Sequence, residues 1–231
     1  MREILGRLVN ASGYEVLRNR YGFLKTLLKK LPIDHLIDVG ANRGEFLRMC
    51  RSAGYVGAAT AIEPISEYRF QLEQIQNVKV WSIAVGKIRK SMDLKIYSSS
   101  DFSSFHTLND RYLRKYGNAP TVKDVRRIEV LTLDELDISG ANILLKVDVQ
   151  GAEADVLKGG TQTLKRVGVL WLELPFMGIY DGGCSVAELF SITEAEGLIP
   201  ARFFANSIAQ FGGWVDGDAV FIRLPEGWGL T

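Results

Sequence analysis

The stretch Asp38-Val39-Gly40-Ala41-Asn42-Arg43-Gly44 places one carboxylate and two glycines at the spacing Asp-x-Gly-x-x-x-Gly. The apolar run His35-Leu36-Ile37 precedes it, and the helical-looking run Glu45–Cys50 follows. A strand that ends, turns on glycines and opens a helix brings backbone close to a ligand without an intervening Cβ. The helix start adds unpaired N–H groups. The dinucleotide fingerprint needs a third glycine to seat a pyrophosphate; here that glycine is missing, and Asp38 would repel the phosphates. A carboxylate suits a cationic ligand instead. S-adenosylmethionine (SAM) carries an ammonium and a sulfonium, so Asp38, Gly40, Ala41, Asn42 and Gly44 read as a SAM-binding loop. Another nucleotide, or a plain turn, is the competing reading.

Other residues at strand ends extend this chemistry. Glu63 stands 19 residues after Gly44 and closes the apolar run 57–62. An acidic residue there accepts both hydroxyls of a ribose, which SAM and NAD share. Ala84, in the turn Ala84-Val85-Gly86, is placed near the adenine edge. Asp148 ends the nearly continuous apolar run 142–149, and Gln150 follows it. Lys146 interrupts that run and needs a carboxylate partner or the site mouth, since burying it alone is costly. Glu173 ends a further run, 167–175. His106 lies in the polar and aromatic stretch 98–118, long enough to be a lid over the site. A histidine there can serve as general base toward a hydroxyl.

Strand and helix alternate along the chain, which predicts an α/β, doubly wound, mostly parallel sheet. Strands are expected at 35–39, 57–63, 78–85, 142–149 and 167–175, with helices at 43–53, 66–76, 154–158 and 185–196 between and after them. Runs 92–97 and 126–130 alternate as strands, and 198–204 with 218–223 would close the sheet as an antiparallel pair. Residues 1–32 stand apart as an N-terminal helical extension to the domain 33–231. That extension carries seven basic residues against Glu3 and Glu15. It reads as two helices broken near Ser12-Gly13 and Tyr21-Gly22. A helical cap with solvated lysines is the plainer use; contact with an anionic membrane surface is the functional one.

The composition sets bounds. The 231 residues are 47% apolar, enough for one sizeable core. A net charge of +1 and the lack of a basic stripe beyond the N-terminal helices argue against nucleic acid as partner. Two distant cysteines, Cys50 and Cys184, read as free thiols. With no secretory segment or apolar run of membrane-spanning length, the expected location is the cytoplasm.

Three blocks, IDVGANRGEF (37–46), IEVLTLDEL (128–136) and LLKVDVQGAEADVLKGG (144–160), occur in that order. Together they resemble the FkbM-type SAM-dependent methyltransferases. The resemblance implies a Rossmann-like sheet of six parallel strands and one antiparallel strand. It implies SAM as methyl donor and O-methylation of a hydroxyl on a sugar, glycan or natural product. Asp38, Gly40 and Gly44 would line the methionine end of SAM, Glu63 would take the ribose, and Asp148 and Gln150 would face the transfer centre. Asp148 and His106 are the two candidate bases. Asp148 could instead orient the ammonium or hold a divalent metal, and no metal ligand set is assigned. The alternative is a non-catalytic SAM- or partner-binding domain of the same fold. The acceptor and the oligomeric state stay open.

Overall fold

A computed structural model of the chain describes residues 20–99, 102–115, 120–208 and 212–224. The first of the two expected N-terminal helices, its break at Ser12-Gly13 and most of the basic face lie outside the described residues. Helix α1 (Arg20–Lys30) has Tyr21-Gly22 in its first turn, and the residues before it lie outside the described ones. Glycine costs a helix about 1 kcal/mol relative to alanine, and Leu24 and Leu27 are buried on the face that outweighs it.

Seven strands form the central sheet: β1 (His35–Val39), β2 (Ala58–Ile62), β3 (Val78–Trp81), β8 (Ile143–Val147), β9 (Val167–Leu174), β11 (Ile199–Ile208) and β12 (Trp214–Ile222). Their order is β11-β12-β9-β8-β1-β2-β3. The pairs from β3 to β9 are parallel, and β12 runs antiparallel to both of its neighbours. The result is six strands in one direction and one reversed. The order reverses between β1 and β8, which leaves a crevice at the carboxyl ends of these two strands.

Side chains alternate across a strand with period two, and this alternation builds two cores. Leu36, Ala61, Leu144, Val169 and Trp171 face α1 and α2 (Glu45–Ser52), where Leu24, Phe46 and Leu47 cover them. Ile37, Val39, Leu145, Val147 and Leu172 face the opposite layer. Val156 and Leu157 of α5 (Glu153–Lys158), Leu164 of α6 (Thr161–Leu164) and Leu189 of α7 (Val186–Ala195) cover that side.

The segment expected as one strand over 78–85 is two. Strand β3 stops at Trp81, and β4 (Ala84–Val85) joins a separate three-stranded sheet with β5 (Lys90–Tyr97) and β7 (Val122–Leu131). The stretch expected as one helix over 66–76 is a 3₁₀ turn (Ser66–Tyr68) followed by the short α3 (Arg69–Glu73). The run 98–118 contains β6 (Thr107–Leu108) and α4 (Asp110–Lys115), and β6 pairs with β10 (Tyr180–Asp181). This stretch is therefore tied to the segment after β9.

Candidate active site

The site follows from strand parity. Asp38, Lys146 and Trp171 share one register row across β1, β8 and β9. They continue the face packed against α1 and α2, and the next positions on that face are Asp148 and Glu173. The apolar face thus turns polar where the strands end. A cavity of about 1090 Å³ opens there. Its wall includes Asp38, Glu63, Lys146, Asp148 and Glu173, the loop 40–43, Ala84, and Ser103 to Phe105 of the 98–115 stretch.

The loop after β1 takes three left-handed backbone positions, Gly40 (φ 78°), Asn42 (φ 45°) and Gly44 (φ 83°). At both glycines a Cβ would meet neighbouring protein. A Cβ on Gly40 would lie 1.8 Å from the Asp148 carbonyl oxygen, and one on Gly44 would lie 2.5 Å from Ile75 Cδ1. Gly40 lets the tips of β1 and β8 close on one another. Gly44 lets Leu72 and Ile75 pack under the start of α2.

Asp38 is 1% exposed, and neither of its oxygens accepts a hydrogen bond among the described residues. Its nearest cation is Lys146, with Nζ 3.5 Å from Oδ1. Burial raises the Asp38 pKa, against the pull of Lys146. Lys146 also reaches Asp148 Oδ2 at 3.2 Å. Burial opposes the ammonium, but the two carboxylates outweigh it and hold the Lys146 pKa above the ordinary lysine value.

Glu63 receives two backbone N–H bonds, from Asn42 to Oε2 (2.7 Å) and from Ile65 to Oε1 (2.8 Å). It pins the β1–α2 loop to the β2–α3 loop, and its remaining lone pairs face the cavity. Burial raises its pKa to about 7 despite those two bonds.

Asp148 is half-buried, and Gln150 holds it. The Gln150 backbone is left-handed (φ 58°). Its side-chain Nε2 donates to Asp148 Oδ1 (2.8 Å) and to Glu173 Oε2 (2.9 Å). Its Oε1 accepts from the Tyr180 hydroxyl at 3.0 Å, and its carbonyl accepts from Ser104 Oγ at 2.6 Å. Every polar group of that amide is therefore engaged by protein. Burial would raise the Asp148 pKa, but Lys146, Glu173 and Gln150 hold it below the usual carboxylate value.

His106 and Gly44 are absent from the cavity wall. His106 Nδ1 lies 3.2 Å from the Asp181 carbonyl oxygen, at the edge of the β6–β10 ribbon. The structure brings Asp38, Gly40, Ala41, Asn42, Glu63, Ala84, Asp148 and Gln150 together around one cavity. Sequence reasoning did not single out Tyr180, nor Arg20 and Asp218, which form an ion pair of 3.5 Å at the rim. Asp218 is the register partner of Glu173, so the same parity rule would have found it.

The order 3-2-1 reversing at β1 and β8, the single reversed strand and the acidic carboxyl edge are matched by sequence. The methyltransferase FkbM domain matches residues 38–197, more than half of the chain. This chain belongs to the FkbM methyltransferase family. Its fold is that of the class I SAM-dependent methyltransferases. Magnesium protoporphyrin IX methyltransferase from Synechocystis PCC 6803, solved with bound SAM, is similar at a TM-score of 0.50 and 12% identity, over 88% of this chain and 76% of that one. A TehB-like SAM-dependent methyltransferase from Corynebacterium glutamicum gives a TM-score of 0.44 at 13% identity, over 96% of each chain. No curated protein matches the chain. Among the described residues, no helix is long and apolar enough to cross a membrane. No group of three or more His, Cys, Asp or Glu side chains there could hold a metal ion.

Proposed function

We propose that this FkbM-family protein transfers a methyl group from SAM to a hydroxyl oxygen of a sugar, glycan or natural-product acceptor. The observation that carries the reading is Asp38. A carboxylate this deeply buried, with no hydrogen bond to either oxygen and only a 3.5 Å ion pair among the described residues, invites a cationic partner. An ammonium at the methionine end of SAM has the right charge, and Asp38 lines the cavity. Glu63, at the tip of the adjoining strand, has the reach and the spare lone pairs for ribose hydroxyls. Ala84 gives the adenine a small flat neighbour. SAM, when bound, supplies an electrophilic methyl carbon on a positively charged sulfur.

The chain's own residues then do three things. Gly40, Ala41 and Asn42 shape the loop against which the donor lies. The cavity fixes acceptor and donor in line, an arrangement worth about 7–11 kcal/mol of barrier in favourable cases. Asp148, on a strand end fixed by Lys146 and Gln150, receives the hydroxyl proton. Asp148 is favoured over His106 because it lines the cavity and His106 does not.

Calorimetric titration of SAM, S-adenosylhomocysteine and NAD tests the donor. Micromolar binding of the first two without NAD is the expected result. Methyl transfer from labelled SAM to a panel of neutral glycosides and polyketide alcohols tests the acceptor. A folded protein that binds neither SAM nor its product overturns the reading and leaves a partner-binding domain.

A further inference from the structure

Glu173 lies at the end of β9, across the strand gap from Asp148. Two carboxyl groups held by one amide are unusual company. Gln150 Nε2 spends one hydrogen on Asp148 Oδ1 at 2.8 Å and the other on Glu173 Oε2 at 2.9 Å. The Asp148 and Glu173 carboxyls are thus drawn to a single nitrogen, each with an oxygen within 3 Å of it. Two carboxylates so close cannot both ionise readily, so one of them keeps a proton.

The surroundings decide which. Asp148 has the Lys146 ammonium at 3.2 Å. Glu173 is faced by Asp148, Glu153, Asp216 and Tyr180, with Asp218 opposite it in register, and no cation is in ion-pair contact with it among the described residues. Burial and these acidic neighbours push the Glu173 pKa well above the usual carboxylate value, while Asp148 stays below it.

We propose that Asp148 and Glu173 work as one carboxylate–carboxylic acid pair, clamped by Gln150, in which Asp148 takes the acceptor's proton and Glu173 is the positioning residue that keeps the pair singly charged. This rests on the O-methyl transfer reading above. In the step, the acceptor O–H bond breaks and its proton passes to the free lone pair of Asp148. The acceptor oxygen forms the bond to the methyl carbon, and the carbon–sulfur bond breaks to leave a neutral thioether. The proton then leaves Asp148 for solvent. A neutral Glu173, holding the other hydrogen of the Gln150 amide, keeps that amide aimed at Asp148 Oδ1 and adds no second negative charge beside the oxygen losing its proton.

Infrared difference spectroscopy of the full chain, wild type against Glu173→Gln at neutral pH, tests the pair without turnover. One neutral carboxylic-acid carbonyl stretch is expected to be lost in the variant, beyond the Glu63 band that both proteins share. In Asp148→Asn the Glu173 band is expected to vanish on titration at a lower pH than in the wild type, because a neighbouring negative charge is gone. That variant carries the test if Glu173→Gln does not fold. A Glu173 that is ionised at neutral pH, or whose titration ignores Asp148, overturns the pair. With a neutral glycoside as acceptor, Glu173→Leu is expected to lower kcat about 100-fold, and Glu173→Gln to recover about tenfold of it. The wild-type kcat should fall on the alkaline side, and the Gln variant should lack that fall. A Gln variant as inactive as the Leu variant, or one that keeps the alkaline fall, also overturns the pair. Absence of any methyl transfer by the wild type would instead overturn the O-methylation reading, and the infrared band would still decide whether the pair exists.

Discussion

Asp38 and Lys146 stand opposite each other in register on β1 and β8, and their side chains meet on one face of the sheet with 3.5 Å between Oδ1 and Nζ. The parallel register makes this contact obligatory: both residues are the last members of the face covered by α1 and α2. Lys146 then bridges to Asp148, so a single ammonium balances two carboxylates of the cavity wall.

Lys146→Met should therefore be costly to the fold. Removing one partner of a buried ion pair leaves the other charge without compensation, at about 3–5 kcal/mol. Asp38, 1% exposed and without hydrogen bonds among the described residues, is the group left behind. Urea denaturation should show a loss of about 3 kcal/mol. The double variant with Asp38→Asn should recover part of it. Equal loss in the single and double variants would mean that the contact of the ammonium with the Phe46 ring, 5.8 Å from its centroid, carries the effect.

Glu63 should make both stability and donor affinity depend on pH, with opposite signs. Its folded pKa is raised to about 7 from an ordinary value of 4.5. Between those two values the folded chain holds a proton that the unfolded chain has released, so stability falls as pH rises through this window. The full effect is ~3 kcal/mol. Glu63→Gln should flatten that part of the thermal denaturation profile. Ribose hydroxyls donate to a carboxylate, so SAM affinity should rise through the same window, and calorimetry should find that rise absent in the Gln variant. A SAM affinity independent of pH in the wild type would remove Glu63 from the ribose.

Much of this was legible from residue order. The alternation of strands with helices and the acidic residues at strand ends led to the sheet and to Asp38, Glu63 and Asp148. Less legible was what each motif residue touches. In the block 128–136, Glu135 closes a turn with Thr132, and Asp134 accepts the backbone N–H groups of Gln162 and Thr163 at the start of α6. In the block 144–160, Glu153 accepts from the N–H groups of Val149 and Gly151. These acids bond to the scaffold, and Glu153 also lines the cavity. Local spacing cannot separate the two uses, because the partners lie on other elements. The split of 78–85 into β3 and β4 escaped for a similar reason. Both halves are apolar, and only the choice of neighbouring strand distinguishes them.

Gly40→Ala should abolish the site by an indirect route. The added Cβ would come within 1.8 Å of the Asp148 carbonyl, at a residue whose φ is 78°. The tips of β1 and β8 must then separate, which displaces Asp148 and breaks its N–H bond to the Val39 carbonyl, now 3.1 Å. Loss of SAM binding together with lowered thermal stability is expected. Gly22→Ala serves as the contrast. Among the described residues nothing lies within 4 Å of its Cβ, and it stands in α1. That change should stabilise the protein by about 0.5–1 kcal/mol, read as a higher thermal midpoint.

Asp148→Asn isolates the proton step. The amide keeps the size of the carboxylate, but it cannot take up a proton. Turnover should fall at least about 100-fold, while SAM affinity should change little, since the residue proposed to attract the ammonium is Asp38. Initial rates with labelled SAM and calorimetry on the same sample make the comparison. Full activity in Asp148→Asn would move the base elsewhere, and His106→Ala would then be the next variant. His106 lies outside the cavity wall with Nδ1 against the Asp181 carbonyl. Its removal is expected to leave kcat within about threefold of the wild type, and a loss as deep as that of Asp148→Asn would reverse the assignment between the two residues.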